Sequence, residues 1–248
     1  MDRLLVKRGL ASSRQRAREL IEEGRVKVDG IVATRPAMQV RPDRPIEIVG
    51  DSPQWVGRGA LKLLGALETM PAFTRGVTAA DLGASTGGFT QVLLSRGARR
   101  VYAIDVGRGQ LAWSLRTDER VVVMDGVNAR HLESLPEPID LIVGDLSFIS
   151  LAHILPTVGR LLRPGGQALL LVKPQFEVGR ESVGKGGLVR DDAARAAAIA
   201  RIESLAASLG FEVLGGADCV VAGAKAGNVE YFLFLQARAA GDQGALST

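Results

Sequence analysis

Cysteine is almost absent from this chain, with Cys219 alone among 248 residues. One thiol excludes an intramolecular disulfide framework and cannot by itself build a zinc site. Within CVVAG it reads as a small hydrophobe on a buried strand rather than a reactive thiol. Histidine is nearly as scarce, His131 and His153 being the two present, so no metal is expected. Long apolar runs are missing too. LLLV and LFLQA are short and flanked by charges or glycines, well below the roughly 18 to 20 apolar residues that cross a bilayer. The opening MDRLLVKRG is too short and too charged for a secretory signal. The expectation is a cytoplasmic protein with no membrane partner, and no obligate protein partner is evident.

The charge that is present is unevenly placed. Residues 1–50 carry eleven Lys and Arg against seven Asp and Glu, and residues 51–248 carry twenty of each, so the whole net charge of +4 lies in the first fifth of the chain. That asymmetry suits an appended nucleic-acid-binding module, although a solvated basic face with no ligand would look the same. A chain of this length can hold such a module beside a domain of ordinary size.

In SSRQRARELIEEG, Ser12 and Ser13 can cap a helix, Ala17, Leu20 and Ile21 form its apolar stripe, and Gly24 ends it. Arg14 and Arg18 then project together, one turn apart, while Arg16 points elsewhere. RVKVDGIVAT follows, with Val26 and Val28 alternating with charges and Asp29-Gly30 supplying a hairpin turn. PIEIVG adds another short strand. RLLVKRGLASSRQRARELIEEGRVKVDGIVA resembles the S4 RNA-binding domain, a small α+β fold. The resemblance implies that the arginine-bearing helix and the turn after it face RNA, with Arg3, Arg14, Arg18, Lys27 and Arg8 as phosphate contacts. DSPQWVGRG, aperiodic and rich in Pro and Gly, reads as a linker at 51–59. Its Arg58 joins the candidate RNA contacts. Its Trp55 suits packing against a neighbouring domain, or base stacking.

From Gly76 onward short strands alternate with helical stretches: VTAADL, RVYAID, RVVVMD, IDLIVGD and QALLLVK. This predicts an α/β domain, a parallel sheet with helices on both faces. After the helix DDAARAAAIARIESLAASLG, FEVLGGADCVVAG and EYFLFLQA, joined by AKAGNV, suit an antiparallel pair at one edge. AAGDQGALST reads as a frayed tail.

The first strand ends in Asp81 and turns through DLGASTGGFT into a helix, so backbone N–H groups and a helix N-terminus face a ligand above the sheet. Gly83, Ser85, Thr86, Gly87, Gly88 and Phe89 form that turn. A dinucleotide fingerprint would want glycine where Ser85 stands. Asp105 closes the second strand, where a carboxylate can accept from both ribose hydroxyls of NAD or of S-adenosylmethionine alike. Gly83, Ser85 and Gly87 also spell the G-x-S-x-G of a hydrolase elbow, yet no histidine follows His153 to serve it. Asp81 before the glycines favours the methyl donor, since methyltransferases commonly anchor the methionine amino group there. Asp125 can accept from the adenine amino group or be a solvated turn acid. Asp145 (VGDLSF) and Lys173 (LVKPQF) stand at neighbouring strand ends, as reacting groups or as a buried ion pair.

RGALKL, DLGASTGGFT, DVGRGQLAW, DLSFISL, LVKPQFEVG and GNVEYF occur in an order that resembles the TlyA family of S4-containing ribosomal RNA 2′-O-methyltransferases, sometimes labelled haemolysins. The resemblance spans nearly the whole chain. It implies an S4-like RNA-binding domain at 1–50 and an FtsJ-like, Rossmann-like methyltransferase domain at 60–248, its seven-stranded, mostly parallel sheet carrying an antiparallel edge strand. It also implies S-adenosyl-L-methionine as cofactor and ribosomal RNA or ribosomal subunits as partner, with cytidine in 16S and also 23S RNA as the target. The family's tetrad falls on Lys62, Asp145, Lys173 and Glu230. One departure is MDGVN at 124–128, where the family leads with glutamate and ends in the same asparagine, Asn128.

A ribose 2′-hydroxyl is a poor nucleophile until deprotonated, while a sulfonium methyl brings its own leaving group, so the reaction needs a base, in-line positioning and no metal. Lys173 is the expected base, its pKa lowered by burial and by Lys62. Asp145 would orient it and help hold the sulfonium end, and Lys62 and Glu230 would position the hydroxyl and balance charge. Two other readings are an RNA-binding protein with an inactive methyltransferase domain and a membrane-active haemolysin. A dead domain should have lost part of the tetrad, and a pore former needs spanning segments. The basic, glycine-rich GRESVGKGGLVRD at 179–191 either orders when RNA arrives or is an ordinary mobile loop.

Overall fold

The computed structural model describes residues 1–11, 13–33, 35–49, 55–219, 221 and 227–238. They fall into two compact units, Met1–Gly57 and Arg58–Thr248. Ser12, residues 51–54 of the expected linker, part of the AKAGNV connection and the expected tail at 239–248 lie outside the described residues.

The first unit packs α1 (Asp2–Lys7) and α2 (Arg14–Glu22) on a three-stranded antiparallel sheet of β1 (Val26–Val28), β2 (Ile31–Val32) and β3 (Ile46–Ile48), in the order β2-β1-β3. The Ser13 hydroxyl caps α2 by accepting the Arg16 N–H at 3.1 Å. Ala17, Leu20 and Ile21 are buried with Leu5, Val26 and Val28, the stripe expected from helical spacing. Asp29 and Gly30 both take positive φ, 53° and 78°, as a two-residue turn matched to the twist of its strands requires. Arg14 and Arg18 do share a face: both reach Asp2 Oδ2, at 3.0 and 3.2 Å, and their side chains stay half exposed. Arg16 turns instead to Glu19 and Glu23.

The second unit is built on seven strands: β4 (Thr78–Leu82), β5 (Arg100–Asp105), β6 (Val121–Asp125), β7 (Ile139–Gly144), β8 (Leu162–Val172), β9 (Phe211–Asp218) and β10 (Tyr231–Ala237). Their order is β6-β5-β4-β7-β8-β10-β9, parallel except that β10 runs against both neighbours. The antiparallel pair is therefore at the edge, with the reversed strand one place in and β9 outermost. The chain winds outward from β4 to β6, then returns to the other side of β4 with β7, so the order reverses between β4 and β7. Open α/β sheets hold ligands at that reversal, beyond the carboxyl ends of the strands.

Helices α3 (Gly59–Thr69), α4 (Gly88–Ser95), α5 (Trp113–Arg116), α6 (Leu155–Leu161), α7 (Pro174–Glu177) and α8 (Asp192–Ser208) flank the sheet. Leu155, Val158 and Leu161 of α6 and Ile202 and Ala206 of α8 bury one face with Leu82, Tyr102, Ile104 and Leu170. Phe89 of α4 stacks on Phe232 of β10, with ring centroids 6.1 Å apart. Arg58 caps α3 and Gly59 opens it, so the last residue expected in the linker already belongs to a helix. Cys219 is buried beyond β9, as its apolar run suggests, and burial pushes its thiol up. Among the described residues no helix is long and apolar enough to cross a membrane.

Candidate active site

The turn after β4 is pinned across the sheet, because Gly83 and Ala84 both donate to the Ile104 carbonyl, at 2.9 and 3.1 Å. Its glycines answer different demands. Gly83 has φ 82°, and a Cβ there would stand 3.0 Å from the Asp145 carbonyl oxygen. A Cβ on Gly88 would come within 2.7 Å of the backbone nitrogen of Ala60, so α3 and α4 can touch only because that residue has no side chain. Gly87, left-handed at φ 96°, caps α4 against Leu111 and Leu115. Ser85 does take the positive φ of a hydrolase elbow, 48°. Its hydroxyl, however, donates to Gln110 Oε1 at 3.3 Å and meets no imidazole among the described residues.

Three strand-end acids are expected to hold the methyl donor, Asp81 at its amino group, Asp105 at its ribose and Asp125 at its adenine. Asp81 is 1% exposed. Its Oδ2 accepts the N–H and hydroxyl of Thr90 at 2.9 and 2.7 Å, whereas its buried Oδ1 has no hydrogen-bond donor among the described residues. Burial pushes this carboxyl up to about 7 against the two bonds from Thr90, and the negative charges of Asp145 and Asp105 add to the rise. Asp105 accepts the N–H groups of Ser85 and Gly107, at 2.8 and 2.7 Å. Each oxygen keeps a further lone pair for a ribose hydroxyl. Asp125 is already engaged: its Oδ2 accepts from the Arg116 guanidinium at 2.6 Å and the Gly109 N–H at 3.0 Å. Those bonds, the Arg116 one first, hold its carboxyl below the usual range. Asn128 Oδ1 caps a 3-10 turn by accepting the Arg130 N–H at 3.0 Å.

A cavity of 480 Å³ opens over β4 and β7, lined by Asp81, Gly83, Ser85, Thr86, Gly88 and Phe89 on one side and by Lys62, Asp145, Lys173 and Glu230 on another. That volume is within the ordinary range for small-ligand sites. Asp105, Asp125 and Asn128 are not among its lining residues and stand along the β5–β6 strand ends instead. The unmet, buried Oδ1 of Asp81 is what an ammonium group would satisfy, and the turn beside it lets a ligand approach the backbone. These residues fit the amino-acid end of S-adenosylmethionine.

The four tetrad residues, up to 168 positions apart in sequence, form one connected network. Lys62 of α3 donates to Glu230 Oε2 at 2.7 Å and to Asp145 Oδ2 at 3.0 Å. Lys173, at the end of β8, meets Asp145 Oδ1 at 2.6 Å and donates to Ser147 Oγ at 2.7 Å. Two ammonium groups thus share one aspartate. Burial works against charge on Asp145, and Lys173 and Lys62 overcome it, so its carboxyl lies below the usual range. Burial opposes charge on Lys62 as well, yet Asp145 and Glu230 outweigh it and hold its proton above the ordinary lysine range. The charge of Lys62 is therefore kept and is balanced by Asp145 and Glu230.

The neighbours of Asp145 and Lys173 are not singled out by sequence alone. Ser147, Phe148, Gln175, Phe176 and Asn228 also line the cavity. Phe148 is 84% exposed at φ 64°, a backbone region that a bulky residue rarely adopts. Its ring lies 5.4 Å from that of Phe176, tilted by 47°. The signal available was a phenylalanine three residues after each of Asp145 and Lys173, in DLSF and KPQF. The 179–191 segment forms two 3-10 turns, Arg180–Ser182 and Lys185–Gly187, and Gly186 and Gly187 reach the cavity wall. Of the basic residues expected to meet RNA, Arg3 and Arg58 are exposed, and Lys27 is half-buried opposite Glu47 of β3. Arg8 donates to the carbonyls of Arg44 and Pro42.

Comparison with known proteins agrees with this geometry. Residues 55–237 match the FtsJ-like methyltransferase family and residues 2–46 the S4 domain. The chain is 49% identical to the 16S/23S rRNA (cytidine-2′-O)-methyltransferase TlyA of Mycobacterium tuberculosis, over 95% of this chain and 89% of that one. It is 37% identical to Hemolysin A of Brachyspira hyodysenteriae, over 93% and 97%. A solved structure named as a hemolysin, from Streptococcus thermophilus, superposes with a TM-score of 0.76 at 37% identity, covering 96% of this chain and 87% of that one. An S4 domain followed by an FtsJ-like methyltransferase domain, the chain belongs to the TlyA family.

Proposed function

We propose that this protein transfers the methyl group of S-adenosyl-L-methionine to a ribose 2′-hydroxyl of ribosomal RNA, at cytidine in 16S and also 23S RNA, in the cytoplasm. The observation that carries the reading is the Lys62–Asp145–Lys173–Glu230 network on the wall of the same cavity as the glycine turn. The relative named for cytidine 2′-O-methylation supports the choice of acceptor.

When bound, the donor supplies an electrophilic methyl on a sulfonium that is its own leaving group. Asp81 Oδ1 would receive its ammonium group, and Asp105 would accept from its ribose hydroxyls. Asp125, held by Arg116, and Asn128 would serve the adenine end. Across the cavity the acceptor hydroxyl enters between Lys173 and the Lys62–Glu230 pair. Lys173 Nζ, held in place by Asp145 and Ser147, takes the proton from that hydroxyl once its own amine is free. Lys62 and Glu230 hold the oxygen in line and keep the pocket's charge balanced. Phe148 and Phe176 offer a ring face at the cavity mouth for the base of the acceptor nucleotide. Arg3, Arg14, Arg18, Lys27 and Arg58 contact phosphates of the RNA or ribosomal subunit.

Lys173→Ala tests the reading. Methyl transfer to ribosomal RNA should fall by roughly 10² or more, while donor and RNA binding stay intact. Near-wild-type transfer by this variant would remove Lys173 from the chemistry.

A further inference from the structure

We propose that Asn228 is a positioning residue that latches the Gly184–Val189 segment in place as the acceptor-side wall of the cavity. The inference rests on the methyl-transfer reading above and concerns how that site receives RNA.

Asn228 is 3% exposed, and its side-chain amide makes three bonds to two separate pieces of chain. Its Oδ1 accepts the Val189 N–H at 2.9 Å, and its Nδ2 donates to the Gly187 carbonyl at 2.8 Å and to Gln175 Oε1 at 3.1 Å. Only a carboxamide both accepts and donates twice in this way. A carboxylate of the same shape would keep the bond from Val189 and lose the other two, and glutamine would be one methylene too long.

Among the described residues the latched segment has little else to hold it. It closes on itself through Gly184 N–H to the Leu188 carbonyl at 2.9 Å and Gly187 N–H to the Gly184 carbonyl at 3.0 Å. Gly186 and Gly187 are both left-handed, and a Cβ on either would meet nothing within 4 Å. Lys185 is exposed, and Leu188 and Val189 are only half-buried. A segment with so few buried apolar contacts opens locally at low cost unless polar bonds fix it.

What the latch fixes is a register. Gln175 stands two residues after Lys173, and Asn228 stands two residues before Glu230. One amide thus ties the glycine wall to the segments that carry two of the four reacting groups. Asp81 and the glycine turn, where the donor sits, make no bond to it among the described residues. Loss of the latch should therefore displace the acceptor and leave the donor where it is.

Asn228→Asp, which keeps the shape and removes both donor bonds, tests this by kinetics and by hydrogen exchange. The expected result is a rise of roughly tenfold in KM for ribosomal RNA. Exchange across residues 179–191 should rise by a similar factor, with the donor Kd changed by less than about twofold and kcat at saturating RNA largely kept. Unchanged exchange in that segment, or loss of donor affinity and kcat alongside KM, would overturn the proposal. If Asn228→Asp does not melt cooperatively, Asn228→Ala removes all three bonds without burying a charge. It must then raise exchange at 179–191, and no rise refutes the latch. Absence of any transfer to ribosomal RNA by the wild type would sink the functional reading, and the exchange data would still decide on the latch.

Discussion

Lowering the pH from about 7.5 to about 5.5 should weaken donor binding by roughly 25-fold, because only the charged form of Asp81 can receive the donor's ammonium group. The carboxyl titrates near 7 in the free protein, raised chiefly by burial. Its charged fraction is then about three-quarters at the upper pH and about 3% at the lower, and apparent affinity scales with the competent fraction. The donor's own amino group is about half deprotonated near pH 8, so the test belongs below that. Binding an ammonium favours the carboxylate, so complex formation near pH 6 should release close to one proton. Calorimetry in buffers of different ionisation enthalpy reads that number directly. The sign for stability is the reverse. The unfolded chain loses this proton near 4 while the folded one keeps it to about 7, so the free protein loses on the order of 4 kcal/mol from this group as pH rises through that window. Asp81→Asn should abolish both dependences, binding donor weakly at every pH and melting higher than wild type at pH 8. Wild-type affinity that stays flat across the window, with no proton released, would refute the argument.

Gly88→Ala should lower stability by about 1 to 3 kcal/mol, read as a lower Tm, because the new methyl meets the backbone of Ala60 rather than a movable side chain. Alanine at Arg14 and at Arg18 should weaken RNA binding about equally for all sequences and flatten its salt dependence by roughly one counterion per site, without altering donor affinity. A sequence-selective loss would assign them to base contacts instead.

Much of the fold was legible because its signals are local. Ser13 and the Ala17, Leu20, Ile21 stripe specify α2, and Asp29-Gly30 specifies the hairpin between β1 and β2 with no reference to the rest of the chain. The parallel strands announce themselves as short apolar runs ending in Asp81, Asp105, Asp125, Asp145 and Lys173. β8 begins at Leu162, earlier than its QALLLVK run shows, because the preceding Arg163-Pro164-Gly165-Gly166 carries no apolar signal. In the structure Gly165 takes φ 74° and the strand absorbs it as an irregularity opposite Ile139 and Leu141. The tetrad could be named through the family resemblance but not connected, since Lys62, Asp145, Lys173 and Glu230 meet only once the sheet is assembled. The same long range hid the bonds of Asn228 to residues 39 to 53 positions away. Asp125 is a related case: its strand-end position leaves an adenine acceptor or a solvated turn acid open, and its ion pair with Arg116 is visible only in the folded chain.

The most direct test of the central claim is to incubate the protein with S-adenosylmethionine carrying a labelled methyl group and ribosomal subunits that lack the mark, then digest the RNA to nucleosides. The account predicts label in 2′-O-methylcytidine, cut by roughly 10² or more in Lys173→Ala. Label on a base would contradict it.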